Sequence, residues 1–375
     1  MLPGIDAAWC ALSPNGYIFI RKLILNNIAD ASKYNVTCLV MKSKKMNSKV
    51  LAVYSNYIIT AKGYSIDKYS LNGKIIEHFG NVVDAKYSQF ANHKLTRRLL
   101  RAEITGYYEF IDGSVLLIAK KGFFLKKANK SNFTKVLDIP RGSKPLNICI
   151  AENGKVYFGE YFQNIEKQEV HVYCSTDNCE TWKIAYTFPA GNINHIHGLF
   201  FDPYTERIWV LTGDRQNECI IGWTNDGFKT LHEELRGGQE YRSCQLFFYK
   251  DFIVFATDSQ YIENEIRAID RKTLRITTLQ KVQGSVIKGG QCGNISYLST
   301  TVEPSRVNLD KSSHVWISKD GTTWTEVFSA KKDWYPSILQ YATIEFPHYF
   351  HIDNKLYFSG RAVKDLDGKS TSIDI

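Results

Sequence analysis

Two histidines stand two residues apart in NINHIHGLFF: His195 and His197. Alternate residues of a strand share a face, so both imidazoles point the same way. They form either a metal pair or a general base with a helper. Asp214 follows Gly213 where the next apolar run ends, and a carboxylate there can orient an imidazole. Gln239, Tyr241 and Arg242 in GGQEYRS begin the unit after that, and Asp258 in ATDSQ takes the place in that unit that Asp214 has in its own. Gln239 joins His195 and His197 as a candidate ligand of a divalent metal. The plain alternatives are an imidazole satisfied by a backbone carbonyl, an Asp that caps a turn and a loop that merely needs Gly237 and Gly238.

The elements that must position these residues repeat. Short β-like runs at 50–54, 57–62, 65–70 and 74–79 are joined by tight turns, one of them Asn72-Gly73. The same set of four returns from 107, 146, 196, 242 and 285, and the tail offers about three more runs near 345–351, 355–360 and 370–375. Four strands per ~40–50 residues is the period of a β-propeller blade. This predicts an all-β chain forming one domain of about seven four-stranded blades, with six or eight as alternatives. Six blades occupy 50–330, a closing blade occupies 341–375, and a strand near Tyr17 within 1–48 joins the last blade to close the ring and remove exposed edges.

Between the third and fourth strands of three blades lies a shared turn: STDNCETW (175–182), TNDGFKTL (224–231) and SKDGTTW (318–324). These turns resemble the Asp-box, S-x-D-x-G-x-T-W, of sialidase-like (BNR-repeat) propellers. Asp177, Asp226 and Asp320 can accept hydrogen bonds from their own turns, while Trp182 and Trp324 pack on the blade. Such turns lie opposite the usual active face, so they are structural. The resemblance implies a substrate carboxylate held by three arginines, a Tyr–Glu nucleophile pair and an Asp acid. Arg141, Arg242, Arg306 and Arg361 are the available arginines, and Tyr241 or Tyr161 the available nucleophile. The early F/Y-R-I-P motif of that family is absent, so its catalytic set is not carried over.

In a propeller, the connections entering first strands and those joining second to third strands share one mouth. Here they bring Glu160, Tyr161, His195, His197, Asp214, Gln239, Arg242, Asp258, Glu303, Arg306, Glu345, His348 and Arg361 toward one place. Cations, carboxylates and aromatic rings together suit an anionic sugar, because Arg forks bind carboxylates and ring faces stack on sugars. The net charge of +9 agrees with an anionic partner. Nucleic acid is disfavoured because the basic stretches 42–49 and 120–130 belong to no binding module.

The expected activity is a carbohydrate-active propeller on an acidic glycan, a glycoside hydrolase with acid–base carboxylates among Asp214, Asp258, Glu160 and Glu345. The alternatives are a polysaccharide lyase assisted by His, Gln and metal, and a non-catalytic glycan- or protein-binding platform. No apolar run reaches the ~20 residues of a membrane helix. The opening MLPGIDAAWC lacks the pattern of an export signal, and the eight cysteines show no C-x-x-C spacing. Both features predict reduced thiols and a cytoplasmic protein.

Overall fold

The computed structural model describes residues 8–12, 17–22, 40–42, 45–350 and 354–375. Antiparallel four-stranded sheets follow one another along the chain. The first has Lys49–Val53, Tyr57–Lys62, Ser65–Ser70 and Ile75–Asn81 in spatial order. The same meander recurs from Gly106–Glu109, Cys149–Ile150, His195–Asp202, Ser243–Phe248 and Val286–Cys292. The tail contributes the three strands Ala342–Glu345, Lys355–Arg361 and Ser370–Asp374. The chain is a β-propeller, as the repeat predicts.

Burial follows strand order within each blade. Second strands, such as Val115–Ala119, are buried along their whole length because neighbouring blades cover both faces. Fourth strands such as Ile75–Asn81 are mostly exposed. The apolar side chains between blades interlock. Trp182 stands edge-on to Phe123 and Phe158 at centroid distances of 5.3 and 4.9 Å.

The end of the chain pairs differently from the expectation. Tyr17–Lys22 is a strand, but its partners are Ala8–Leu12 and Val40–Lys42 in a separate three-stranded sheet. Residues 23–39 lie outside the described residues. It is Met46 that bridges to Ser370, the first residue of the last strand. Tyr349–Phe350 adds to Lys49–Val53 in parallel.

The three repeated turns are built as their sequences suggest. Asp177 accepts from Ser175 Oγ and Thr181 N at 2.8 and 2.9 Å, and Asp320 accepts from Thr322 N and Thr323 N at 2.8 and 2.7 Å. Asp226 repeats the pattern with Thr224, Lys229 and Thr230. The hydrogen bonds from Thr181 and Thr230 lower the carboxyls of Asp177 and Asp226 to about 2. Each turn has a left-handed residue: Cys179 at φ 72°, Phe228 at φ 72° and Gly321 at φ 79°. Cys179 and Phe228 accept that strain while burying their side chains in the core.

One more device ties the ring. The helix Lys94–Leu100 directs Arg98, 2% exposed, onto Asp333 and Asp367, and Arg97 also pairs with Asp367 at 2.6 Å. Arg98 therefore joins distant parts of the chain rather than facing a ligand.

Candidate functional site

His195 opens the first strand of its blade, and Asp214 follows the last residue of the second strand, Arg207–Gly213. The ladder puts His195 opposite Gly213, so strand pairing alone brings Asp214 to the histidines. Arg242 and Asp258 occupy the matching places in the next blade, Arg242 just before Ser243–Phe248 and Asp258 just after Phe252–Thr257.

His195 Nδ1 lies 2.9 Å from the carbonyl oxygen of Phe162, and His197 Nδ1 lies 3.0 Å from that of Ser243. A carbonyl only accepts, so each Nδ1 carries the proton and each Nε2 presents a lone pair. The two Nε2 atoms are 3.1 Å apart. Asp214 completes a triangle, with Oδ1 3.2 Å from His197 Nε2 and Oδ2 3.3 Å from His195 Nε2. Two imidazole nitrogens and one carboxylate therefore converge, each nitrogen beside its own carboxylate oxygen. Such spacing matches neighbouring ligands of a first-row metal with bonds of about 2.1 Å, and two imidazoles with one carboxylate are a known open metal-binding set.

The surroundings hold this triangle in place. Arg242 reaches Asp214 Oδ1 at 3.0 Å and Asp258 at 3.6 Å. Asn194 donates to Asp214 Oδ2 at 2.9 Å. Gln239 donates to the main-chain oxygen of Asp214 at 2.6 Å and accepts from Ser259 at 2.9 Å. Both ends of Gln239 are thus engaged, and it positions Asp214 instead of serving as the third metal ligand expected from sequence. Tyr161 packs on His195 with centroids 4.3 Å apart. A Cβ at Gly213 would lie 2.4 Å from His197 Cε1, so only glycine lets that ring sit flat against the chain.

Charge follows the geometry. The Arg242 guanidinium and the Asn194 amide, both donating to Asp214, favour its ionised form. Burial pushes the Tyr161 hydroxyl and the Cys244 thiol up. Cys244, which could form a second metal set with His197 and Asp258, therefore remains a thiol and donates to Asp258 at 3.3 Å. Arg242 Nε and Asp258 Oδ1 are buried and have no hydrogen-bond partner among the described residues. Glu303 is pushed up to about 7 by burial and by Asp258, and it accepts from Gln260 at 2.5 Å.

Other residues expected at this mouth have different duties. Glu160 is buried under a two-pronged pair with Arg141, Nε to Oε1 at 2.8 Å, and also accepts from His171 N. It is a structural anchor, not a free acid. Tyr241 lies over Gly237 and packs on the neighbouring core. Arg306 is exposed. Arg361 and Glu345 pair with each other, and the exposed His348 reaches the carbonyl of Thr105 at 3.0 Å. Arg141, Arg242 and Arg361 are thus each held by their own carboxylates and do not form a converging triad. The sequence reading did not single out Asn194, or Cys244 as a neighbour of Asp258. Their positions beside His195 and Arg242 were the available signal.

No family model matches the chain, and no curated protein matches it. The likeness to sialidase-type repeats therefore rests on the three turns themselves. Solved structures are similar in fold. The AfRom2 CNH domain has a TM-score of 0.53 at 9% identity, covering 88% of this chain and 95% of that one. A structure from an analysis of two prolyl endopeptidases has a TM-score of 0.52 at 10% identity, covering 84% of this chain and 46% of that one. A chain of the mitotic checkpoint complex gives 0.49 at 9% identity, covering 94% and 99%. Among the described residues no helix is long and apolar enough to cross a membrane.

Proposed function

We propose that His195, His197 and Asp214 bind a divalent cation and that the protein is a metal-assisted, carbohydrate-active propeller cleaving an acidic oligosaccharide by elimination. The observation that carries this reading is the convergence of two Nε2 atoms 3.1 Å apart on one carboxylate, whose Oδ1 lies 3.2 Å from His197 and whose Oδ2 lies 3.3 Å from His195. A cation relieves the repulsion between the two Nε2 lone pairs and the carboxylate.

A bound metal would neutralise a sugar carboxylate and make the neighbouring C–H more acidic. The residues of the chain would supply the rest: Asp258, whose Oδ1 has no hydrogen-bond partner among the described residues, would take the C–H proton as the bond to the leaving oxygen breaks. Arg242 Nε offers an unused buried donor for developing negative charge. Glu303, pushed up to about 7, keeps a proton to give to a leaving oxygen. Tyr161 offers a ring beside His195 on which a sugar can stack. The hydrolase reading fits less well, because Glu160 is locked by Arg141 and Asp214 is held ionised.

The test is calorimetric titration of the metal-free protein with manganese and zinc, followed by acidic oligosaccharides with and without chelator. Binding that disappears in His195→Ala and His197→Ala, with a chelator-sensitive rise in unsaturated-uronate absorbance, supports the proposal. Absence of metal binding would mean that a shared proton holds the triangle together. Reducing ends without absorbance, insensitive to chelator, would restore hydrolysis. Metal binding with no turnover across the panel would leave a binding platform.

A further inference from the structure

The channel holds a second feature. A cavity of about 560 Å³ runs along it, with Lys49, Asn147 and Lys288 near strand starts and Phe200, Phe201, Phe248 and Gln291 near strand ends. That volume is within the range of small-molecule sites. Glu345 and His348 line it as well.

The charges there do not balance. Glu345 is paired with Lys49 at 2.7 Å and Arg361 at 2.5 Å, and Arg361 also holds Glu103 at 2.9 Å. These two carboxylates face four cations, since Lys144 and Lys288 belong to the same electrostatic cluster. Lys144 and Lys288 have no ion-pair partner and no hydrogen bond among the described residues. Burial, with Arg361 nearby, pushes both amines down. Lys288 is half-buried and lines the cavity. A half-buried ammonium without a counter-ion is costly, and the fold gains nothing structural from it.

We propose that this cavity binds a small organic anion, its phosphate or carboxylate group on Lys288 and its flat body against the aromatic wall of Phe200, Phe248 and Phe346. Lys49 and Arg361 are neutralised by their carboxylates, which leaves Lys288 as the cation directed at the ligand. Gln245 and Asn147 supply polar edges. None of His195, His197 and Asp214 lines the cavity, so the site does not need a metal on them.

The experiment uses the full chain and four probes: inorganic phosphate, adenosine monophosphate, phenylacetate and uncharged adenosine. Calorimetry and the melting temperature are read in the wild type and in Lys288→Met. We expect the monophosphate or phenylacetate to bind below about 1 mM and to bind about ten-fold more weakly to Lys288→Met. Adenosine alone is expected not to bind. Phosphate alone tells whether the anion suffices, and the two ring-bearing anions distinguish phosphate from carboxylate. Lys288→Met without ligand should melt at or above the wild-type temperature, because it removes an unpaired charge. No binding of any anion at about 10 mM, or equal binding by the variant, overturns the proposal. So does a variant that melts below the wild type and binds no probe, since Lys288 would then be supporting the fold.

Discussion

At the mouth three acceptors meet with one guanidinium beside them, while in the channel four cations face two carboxylates. Both clusters are buried in one propeller, and each lacks what the other has in excess. The mouth is assembled by backbone register: the ladder that pairs His195 with Gly213 delivers Asp214. The channel is assembled by long side chains reaching inward from different blades. Register gives tight edges near 3.2 Å that suit a metal, whereas long side chains give a looser space that suits an organic ligand.

The comparison is broken most strongly by removing a paired cation. Arg361→Met leaves Glu103 and Glu345 short of a partner in a low-dielectric channel, and the expected loss is about 3–5 kcal/mol in denaturant unfolding. Lys288→Met, in the same cluster but unpaired, should cost nothing. Equal losses in the two variants would mean that pairing does not distinguish these cations.

At the mouth, Gly213→Ala places a Cβ 2.4 Å from His197 Cε1. His197 is 1% exposed and tied to Ser243 O, so its ring has little room to move away. We expect about 1–3 kcal/mol of destabilisation and at least a ten-fold loss of metal affinity. The channel probes should bind as before. If metal binding survives, the His197 imidazole is not a ligand.

These differences also explain what could be read from the chain. The propeller was legible because fourfold strand sets recur and inner strands such as Val115–Ala119 are apolar throughout. His195, His197 and Asp214 were legible because alternation and strand ends fix where side chains point. Glu160 and Arg141 were misread as ligand-facing, since position in a loop says nothing about a partner 19 residues away. Gln239 was assigned to metal because its type fits, whereas its neighbour Ser259 decides its role. Lys144 and Lys288 left no sign that they lack counter-ions, because a lysine in a polar run is ordinarily solvated. The bridge of Met46 to Ser370 was missed because a single bridge has no strand pattern.

The smallest expected effect is a pH dependence that sharpens the channel side. Burial, followed by the charge of Lys288, lowers His348 to about 4, and Lys49 acts in the same direction while Glu345 opposes. The Tyr108 ring packs against it at 4.9 Å. In the unfolded chain His348 titrates near its ordinary ~6.5. Between these values the unfolded chain binds the extra proton, so the contribution is full above about pH 6.5 and is lost as pH falls toward 4. The wild type should therefore lose more melting temperature than His348→Gln between about pH 7 and 4.5. An anion on Lys288 screens the cation that depresses the imidazole, so saturating the channel with the best-binding probe should narrow the gap between the two slopes. A gap that the probe leaves unchanged would place the ligand away from Lys288 and His348.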